Sequence, residues 1–271
     1  MIEDHRHLPD SNRLSVLIAA ILLAYALGRL IESKGYQIDF NILGVGFTLP
    51  LNLNLASTLM ASALTAAGMD WLLRGHPHKD AEASLQHWIL PALTAFILGL
   101  PLYILPFGLS WWLTFGAGGI LLLFIFLAEY IALDPSDIRY PAASAGLVAL
   151  SYTLFLVLMI TLTYFNVRLF LVGIIVFITS GLVVLRALHL RTGDWEFSWS
   201  IGIAIIITQL SAALHYWPVQ PIQYSLILIG PLFSLTELAQ NQFEKIPLRR
   251  AGLEVIAGLI VFWAAAVLIR S

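Results

Sequence analysis

The sequence predicts an all-helical, polytopic integral membrane protein with about nine transmembrane helices. Of its 271 residues, 59% are hydrophobic and 11% are charged, whereas soluble domains carry about 25% charged residues. Apolar runs of roughly 18 to 23 residues recur along the chain, and each is long enough to cross the hydrocarbon core of a bilayer. We therefore expect a single transmembrane domain over residues 1–271, integral to the cytoplasmic membrane.

Charge and cysteine content exclude several kinds of partner. A net charge of −2 offers no attraction for a polyanion, so we expect no nucleic-acid partner. The absence of cysteine excludes disulfides and thiolate metal sites, and no motif identifies a cofactor. The first apolar run is too long for the core of a signal peptide and lacks a small-residue cleavage site, which predicts an uncleaved first span.

The first part of the chain combines a tail, a span and an extended segment. Residues 1–13 predict a polar cytoplasmic tail, and residues 14–31 the first span. Apolar and polar residues then alternate with a strict period of two over 47–55, which is typical of a strand. With residues 36–42 as its partner, we expect a short β-hairpin within 36–54 on the extracytoplasmic side, because unpaired strands are not stable in lipid. A re-entrant segment broken at Pro50 is the alternative.

The second span, residues 55–73, is the predicted centre of the helix bundle. Small residues recur along it at spacings of three and four, and they allow close approach of neighbouring backbones in a membrane. These residues are Ala56, Ser57, Ala61, Ser62, Ala63, Thr65, Ala66, Ala67 and Gly68.

Seven further spans are expected after the second. They cover residues 87–106, 111–131, 142–164, 168–188, 198–216, 222–240 and 251–269. Pro91 and Pro101 in the third span and Pro231 in the eighth predict kinked or interrupted helices. Interrupted helices line the substrate sites of some transporters, although proline is also an ordinary packing residue in membrane helices.

The distribution of basic residues predicts the orientation of the chain. With nine spans and a cytoplasmic N-terminus, ten of the fourteen Lys and Arg residues fall on the inner side, as the positive-inside rule requires. They are Arg6, Arg13, Arg74, Lys79, Arg139, Arg186, Arg191, Lys245, Arg249 and Arg250. Of the sixteen acidic residues, only Glu32 and Asp39 fall outside. We therefore expect N-in, C-out threading, with any polar chemistry at the cytoplasmic surface.

Five residues are candidates for binding a substrate or an ion. Asp70 and Arg74 lie four apart on one helical face, where they can form a pair. Glu129 and Glu237 lie in apolar surroundings near inner helix ends, where an acid is a functional candidate by default. Gln209 lies near mid-membrane and needs a hydrogen-bond partner. Interfacial ion pairs and contacts between helices are the structural alternatives.

His76 and His78 are candidate metal ligands in the loop after the second span. Residues two apart in an extended chain point the same way, so the two imidazoles can face one metal ion. His87 lies nearby in sequence. Solvated loop histidines are the alternative interpretation.

Three classes of function remain open from the sequence. The favoured one is a transporter or flippase of a small or lipidic solute with its polar site on the cytoplasmic side. A structural or anchoring subunit, associating with other membrane subunits or with copies of itself, is the second. A membrane-embedded enzyme acting on lipid head groups is the third, and the absence of a recognisable catalytic motif makes it less favoured. In each case the lipid bilayer is the immediate partner.

Overall fold

The computed structural model of the chain describes residues 9–31, 36–42, 45–51, 53–75 and 84–269. The helices in this part of the chain are α1 (Ser11–Leu30), α2 (Leu53–Leu73), α3 (Ser84–Ile104), α4 (Leu109–Ile131), α5 (Tyr140–Tyr164), α6 (Leu169–Thr192), α7 (Phe197–Leu214), α8 (Pro221–Phe243) and α9 (Leu248–Leu268). Two strands, β1 (Tyr36–Ile42) and β2 (Val45–Leu51), lie between α1 and α2.

The helices have the lengths and compositions of membrane spans. Eight of the nine helices in the described residues are long and apolar enough to cross a membrane, which supports an integral membrane protein with several helical spans. The exception is α2, the helix predicted to be central. Its 21 residues are long enough for a bilayer, but hydroxyl side chains and Asp70 lower its hydropathy.

The two strands pair with each other in antiparallel register. The pairing runs from Tyr36 opposite Leu51 to the connection after Ile42. The alternating pattern that we extended to Leu55 ends sooner, because Leu53 already begins α2. The extracytoplasmic position of these strands stays a prediction.

The chain divides into two compact units, Met1–Ala143 and Ser144–Ser271. Unit 1 holds α1 to α4, and unit 2 holds α6 to α9 with most of α5. The interpretation of 1–271 as a single transmembrane domain stays a prediction.

Within unit 1, α2 packs against α1, α3 and α4. Its contacts with α1 and α3 are close because small residues meet across them. A Cβ added at Gly28 of α1 would lie 2.3 Å from Ser57 Oγ, and one added at Gly99 of α3 would lie 2.3 Å from Thr58 Cγ2. The Ser62 hydroxyl also donates to the Ala92 carbonyl of α3, at 2.8 Å. The predicted close packing of this helix is confirmed within unit 1.

The prolines do not interrupt the helices that contain them. Pro91 and Pro101 lie inside the continuous helix α3, and Pro231 lies inside α8. Of the kinked or interrupted helices that we expected, interruption is therefore wrong, and a kink at these prolines stays a prediction. A proline removes one backbone hydrogen bond, and a membrane helix keeps the others because no water is present to replace them.

Within unit 2, α8 packs against α6, α7 and α9. Hydroxyl groups join the helices of this unit to one another. The Ser200 hydroxyl of α7 donates to the Gly181 carbonyl of α6 at 2.6 Å, and the Ser211 and Tyr224 hydroxyls lie 2.6 Å apart between α7 and α8. Such interhelical hydrogen bonds help to hold helices together where both protein and lipid are apolar.

Candidate functional site

Unit 1 has a polar end at which four helix termini meet. Arg13, at the start of α1, lies over the ring of Trp71 near the end of α2, with 5.3 Å between its guanidinium carbon and the ring centroid. His87, near the start of α3, contacts Glu129, near the end of α4. Successive helices of unit 1 therefore run antiparallel, and their polar residues collect at this end.

The main feature of the polar end is a buried contact between a histidine and a glutamate. His87 Nδ1 and Glu129 Oε2 lie 2.7 Å apart, and the two side chains are 2% and 0% exposed. A contact of this length requires a proton between the nitrogen and the oxygen. The pair can therefore be a neutral imidazole whose N–H donates to a carboxylate, with net charge −1, or, with one more proton, an imidazolium–carboxylate ion pair with no net charge.

The helix geometry of α3 explains why His87 points inward. His87 shares the buried face of this helix with Leu90, Thr94 and Ile97, at spacings of three, seven and ten residues that match the helical period. The sequence analysis treated His87 as a neighbour of the loop histidines. Its position on this apolar face was the signal that could have identified it as a buried residue.

The surroundings of the pair are apolar. Leu122, Phe126 and Tyr130 of α4, together with Leu72 and Leu73 of α2, belong to the hydrophobic core at this end of unit 1. Little water reaches such a core, so charge on either side chain depends on stabilisation by protein groups, of which the partner is one. A change in the number of protons on the pair therefore carries a large energetic penalty unless the surroundings rearrange.

Trp88, the residue after His87, packs against the same core. Its indole N–H is buried and has no hydrogen-bond partner among the described residues. Buried donors are normally paired with protein or with ordered water. This donor is therefore a group that a bound molecule near the start of α3 can satisfy.

Asp70 and Arg74 form the ion pair that their spacing predicts. Arg74 donates to Asp70 Oδ2 through Nε at 3.0 Å and through Nη2 at 2.8 Å. Asp70 is 17% exposed and Arg74 68% exposed. The pair therefore lies at the C-terminal end of α2, with the Arg74 guanidinium exposed and the Asp70 carboxylate partly buried.

The turn between α4 and α5 adds two buried carboxylates that the sequence analysis did not single out. Asp134 accepts hydrogen bonds from the backbone N–H and the hydroxyl of Ser136. Asp137 accepts from the backbone N–H of Arg139 and contacts its guanidinium at 2.7 Å. The hydrogen bond to Asp137 raises the pKa of Arg139 above its usual value. These contacts order the turn locally and begin α5.

In unit 2, Arg191 is the centre of a second polar cluster. Its guanidinium, at the end of α6, contacts Gln240 Oε1 of α8 at 2.5 Å and Oε1 of Glu244, the residue that caps α8, at 2.6 Å. The Glu237 carboxylate lies 3.6 Å from the same guanidinium. Arg191 thereby links the ends of α6 and α8 through three side chains.

A neighbouring contact joins α8 to α9. The side-chain amide of Asn241 donates to Glu254 at 2.8 Å, and Arg250 lies 3.5 Å from the same glutamate. Arg186, one and a half turns before Arg191 on α6, is 2% exposed. Arg191 also belongs to α6, because this helix continues to Thr192, beyond the expected end of the span at residue 188.

The predicted site residues are divided between the two units. Asp70 and Glu129 both lie at the polar end of unit 1, whereas Glu237 belongs to the Arg191 cluster of unit 2. Gln209 lies on an exposed face of α7, in the half of that helix away from its N-terminus.

The predicted metal ligands His76 and His78 lie outside the described residues. In the part of the chain that is described, no group of three or more His, Cys, Asp or Glu side chains is arranged to hold a metal ion.

Comparison with other proteins identifies the family but no characterised relative. No curated protein and no solved structure matches the chain. Residues 33–269 match the family described as "Protein of unknown function (DUF5656)". The match extends over most of both units and includes the His87–Glu129 pair and the Arg191 cluster. The chain therefore belongs to this family.

Proposed function

We propose that the protein transports a small or lipidic solute across the cytoplasmic membrane and that the His87–Glu129 pair is its titratable element. The observation that carries the proposal is the 2.7 Å contact between two side chains that are 2% and 0% exposed. Ionisable groups are costly within a membrane, and those that are kept there commonly mark proton relays or substrate pathways.

The chemistry of the pair supports coupling to protons. As an imidazolium–carboxylate ion pair, with both ring nitrogens protonated, the pair is neutral overall. Adding or removing a proton leaves a net charge in apolar surroundings, which favours any conformation that admits water or a counter-charge. Protonation can therefore bias the packing of α3 against α4, which is the kind of two-state element that transport requires.

The proposed threading is nine spans with the N-terminus inside and the C-terminus outside. Although α2 falls below the apolarity of the other helices, it contacts α1 near both of its ends, at Gly28 with Ser57 and at Arg13 with Trp71. A helix packed in this way along a spanning neighbour crosses the membrane as well. The two strands between α1 and α2 then lie on the extracytoplasmic side, and the His87–Glu129 pair lies near the cytoplasmic side.

The nature of the solute follows from the distribution of charge. In this threading only two acidic and four basic residues of the chain fall on the outer side. Such a surface offers little attraction for a strongly charged solute arriving from outside. A lipidic solute, or a solute that is exported, fits this surface better.

A reconstitution experiment tests the proposal. The purified protein is placed in liposomes that contain fluorescent phospholipid and an internal pH-sensitive dye, and lipid movement and proton flux are followed after an imposed pH step. We expect the wild-type protein to exceed empty liposomes in lipid movement, and Glu129→Gln to lower the rate about tenfold or more, equivalent to about 1.4 kcal/mol in activation free energy.

The matched control is Asp194→Asn, which changes an exposed carboxylate in the connection between α6 and α7. We expect this variant to keep the wild-type rate. A correctly folded Glu129→Gln protein with unchanged lipid movement and proton flux would remove the pair from the mechanism. Wild-type protein that moves neither lipid nor protons would contradict transport of lipid as the function.

A further inference from the structure

Unit 2 contains a groove at the end opposite the Arg191 cluster. The groove has a volume of about 640 Å³ and lies between the C-terminal halves of α7 and α9, with the first turns of α8 as its floor. Leu210 and Leu214 line it from α7, and Trp263, Ala266 and Val267 from α9. Its volume is within the range of ligand sites, which is about 300–1,000 Å³.

Hydrogen bonds hold the walls of the groove in place. Gln223 of α8 donates from its side-chain amide to the Ala266 carbonyl of α9 at 3.2 Å. The Trp263 indole N–H of α9 donates to the Ile227 carbonyl of α8 at 3.3 Å. These bonds fix α9 to the floor of the groove and engage the side-chain donors of Gln223 and Trp263. The groove is therefore a formed cavity with an apolar interior.

The chemistry of the lining indicates an apolar occupant. None of the residues that line the groove is ionisable, so a head group with a formal charge has no counter-charge inside. Val267 is 69% exposed and Trp263 47% exposed, so the groove opens onto the outward apolar surface of unit 2. In a bilayer this surface faces acyl chains, and a hydrocarbon chain can enter from it without crossing water.

The rim indicates where the head group lies. The connection between α7 and α8 includes Tyr216 and Trp217, which are 80% and 66% exposed, and it contains no Lys, Arg, Asp or Glu over residues 215–220. Tyrosine and tryptophan favour the head-group region of a membrane. An acyl chain in the groove thus places its head group beside an aromatic, neutral rim.

We infer that the groove binds one acyl chain of a membrane phospholipid, with the glycerol and head group at the 215–220 connection. This lipid site is separate from the His87–Glu129 pair and does not depend on the proposed transport. A bound lipid would fill the space between α7 and α9 and stabilise the packing of both helices on α8.

The test uses the full chain in nanodiscs of phosphatidylcholine that carries a photoactivatable diazirine on its acyl chain. After illumination, labelled residues are mapped by mass spectrometry. We expect Leu210, Leu214 and Val267 to be labelled about tenfold more than Ile256 and Ile260, which are exposed on α9 outside the groove. A tenfold difference corresponds to a lipid that binds about 1.4 kcal/mol more tightly in the groove than on the surrounding surface. Equal labelling of all exposed apolar residues would overturn the inference, and this comparison needs no variant.

A pair of neighbouring substitutions provides a second test. Val267→Trp fills the groove from an exposed position and should abolish the preferential labelling, whereas Leu268→Trp, which is 73% exposed and outside the lining, should leave it unchanged. Native mass spectrometry should then show one retained phospholipid per chain in the wild type and in Leu268→Trp. Retention of that lipid by folded Val267→Trp, or crosslinks from the groove to a second copy of the chain, would contradict the proposed occupant.

Discussion

His87 and Glu129 depend on each other because neither side chain is exposed enough to be solvated by water. Removing one partner of a buried charged pair costs about 3–5 kcal/mol, since the other is left without compensation. Replacing both partners with apolar residues of similar volume is often neutral, because the desolvation cost disappears together with the attraction. The stabilities of the single and double variants therefore measure what the pair contributes to folding, separately from what it contributes to function.

We predict that Glu129→Leu destabilises the protein by about 3–5 kcal/mol and that the double variant His87→Leu/Glu129→Leu recovers most of this loss. The measurement is thermal unfolding in detergent, followed by tryptophan fluorescence and analysed as a double-mutant cycle. The cycle also needs the single variant His87→Leu. If the losses of stability in His87→Leu and Glu129→Leu simply add in the double variant, the two side chains are not coupled.

The double variant also tests the role of the pair in transport. Since it is expected to fold without any titratable group at this position, it should be stable but inactive in the liposome assay. A double variant that transports at the wild-type rate would assign the pair a purely structural role.

At the scale of the element, close helix packing in unit 1 depends on glycines that face side chains of α2. The added Cβ at Gly99 would lie 2.3 Å from Thr58 Cγ2 and 2.9 Å from Thr58 Cβ. Thr58 is β-branched and joined directly to the helix backbone, so it has little freedom to move away. At Gly116 of α4, by contrast, no atom lies within 4 Å of the added Cβ.

We predict that Gly99→Ala destabilises the protein by about 1–3 kcal/mol, because overpacking outweighs the gain in helix propensity. Gly116→Ala is the matched control. We expect it to stabilise the protein by about 0.5–1 kcal/mol, since only the propensity gain remains. Thermal unfolding of both variants in the same detergent provides the comparison. Equal stability of the two variants would show that α2 and α3 do not pack as closely as described.

At the scale of the whole molecule, threading determines which polar cluster meets which compartment. The nine-span threading places the connection before α2 outside and the connection after it inside. An α2 that did not cross would leave both connections on the same side. The chain contains no cysteine, so a single introduced cysteine reports its position without background.

We predict that Gln37→Cys is labelled by a membrane-impermeant maleimide in intact cells and that Gly75→Cys is labelled only after permeabilisation. Tyr216→Cys and Asp194→Cys form the same comparison in unit 2, with Tyr216→Cys on the outer side. Labelling of positions 37 and 75 from the same side would remove α2 from the spans and reverse the orientation of α1 relative to the rest of the chain.

The sequence by itself determined the membrane class and the approximate limits of the helices, and it marked Glu129 as a candidate site residue. These features depend on local composition, because a long apolar run must avoid water wherever it lies and an acid inside such a run is conspicuous. The pairing of Asp70 with Arg74 was also predictable from the sequence, since helical geometry alone brings residues four apart together.

Only the tertiary structure decided the partners of the other charged residues. His87 meets Glu129 from 42 residues away, and Arg191 meets Glu244 from 53 residues away. The groove beside Trp263 likewise depends on how α7 and α9 pack on α8. Spacing along one helix carries no information about such contacts, because they depend on which faces of different helices meet.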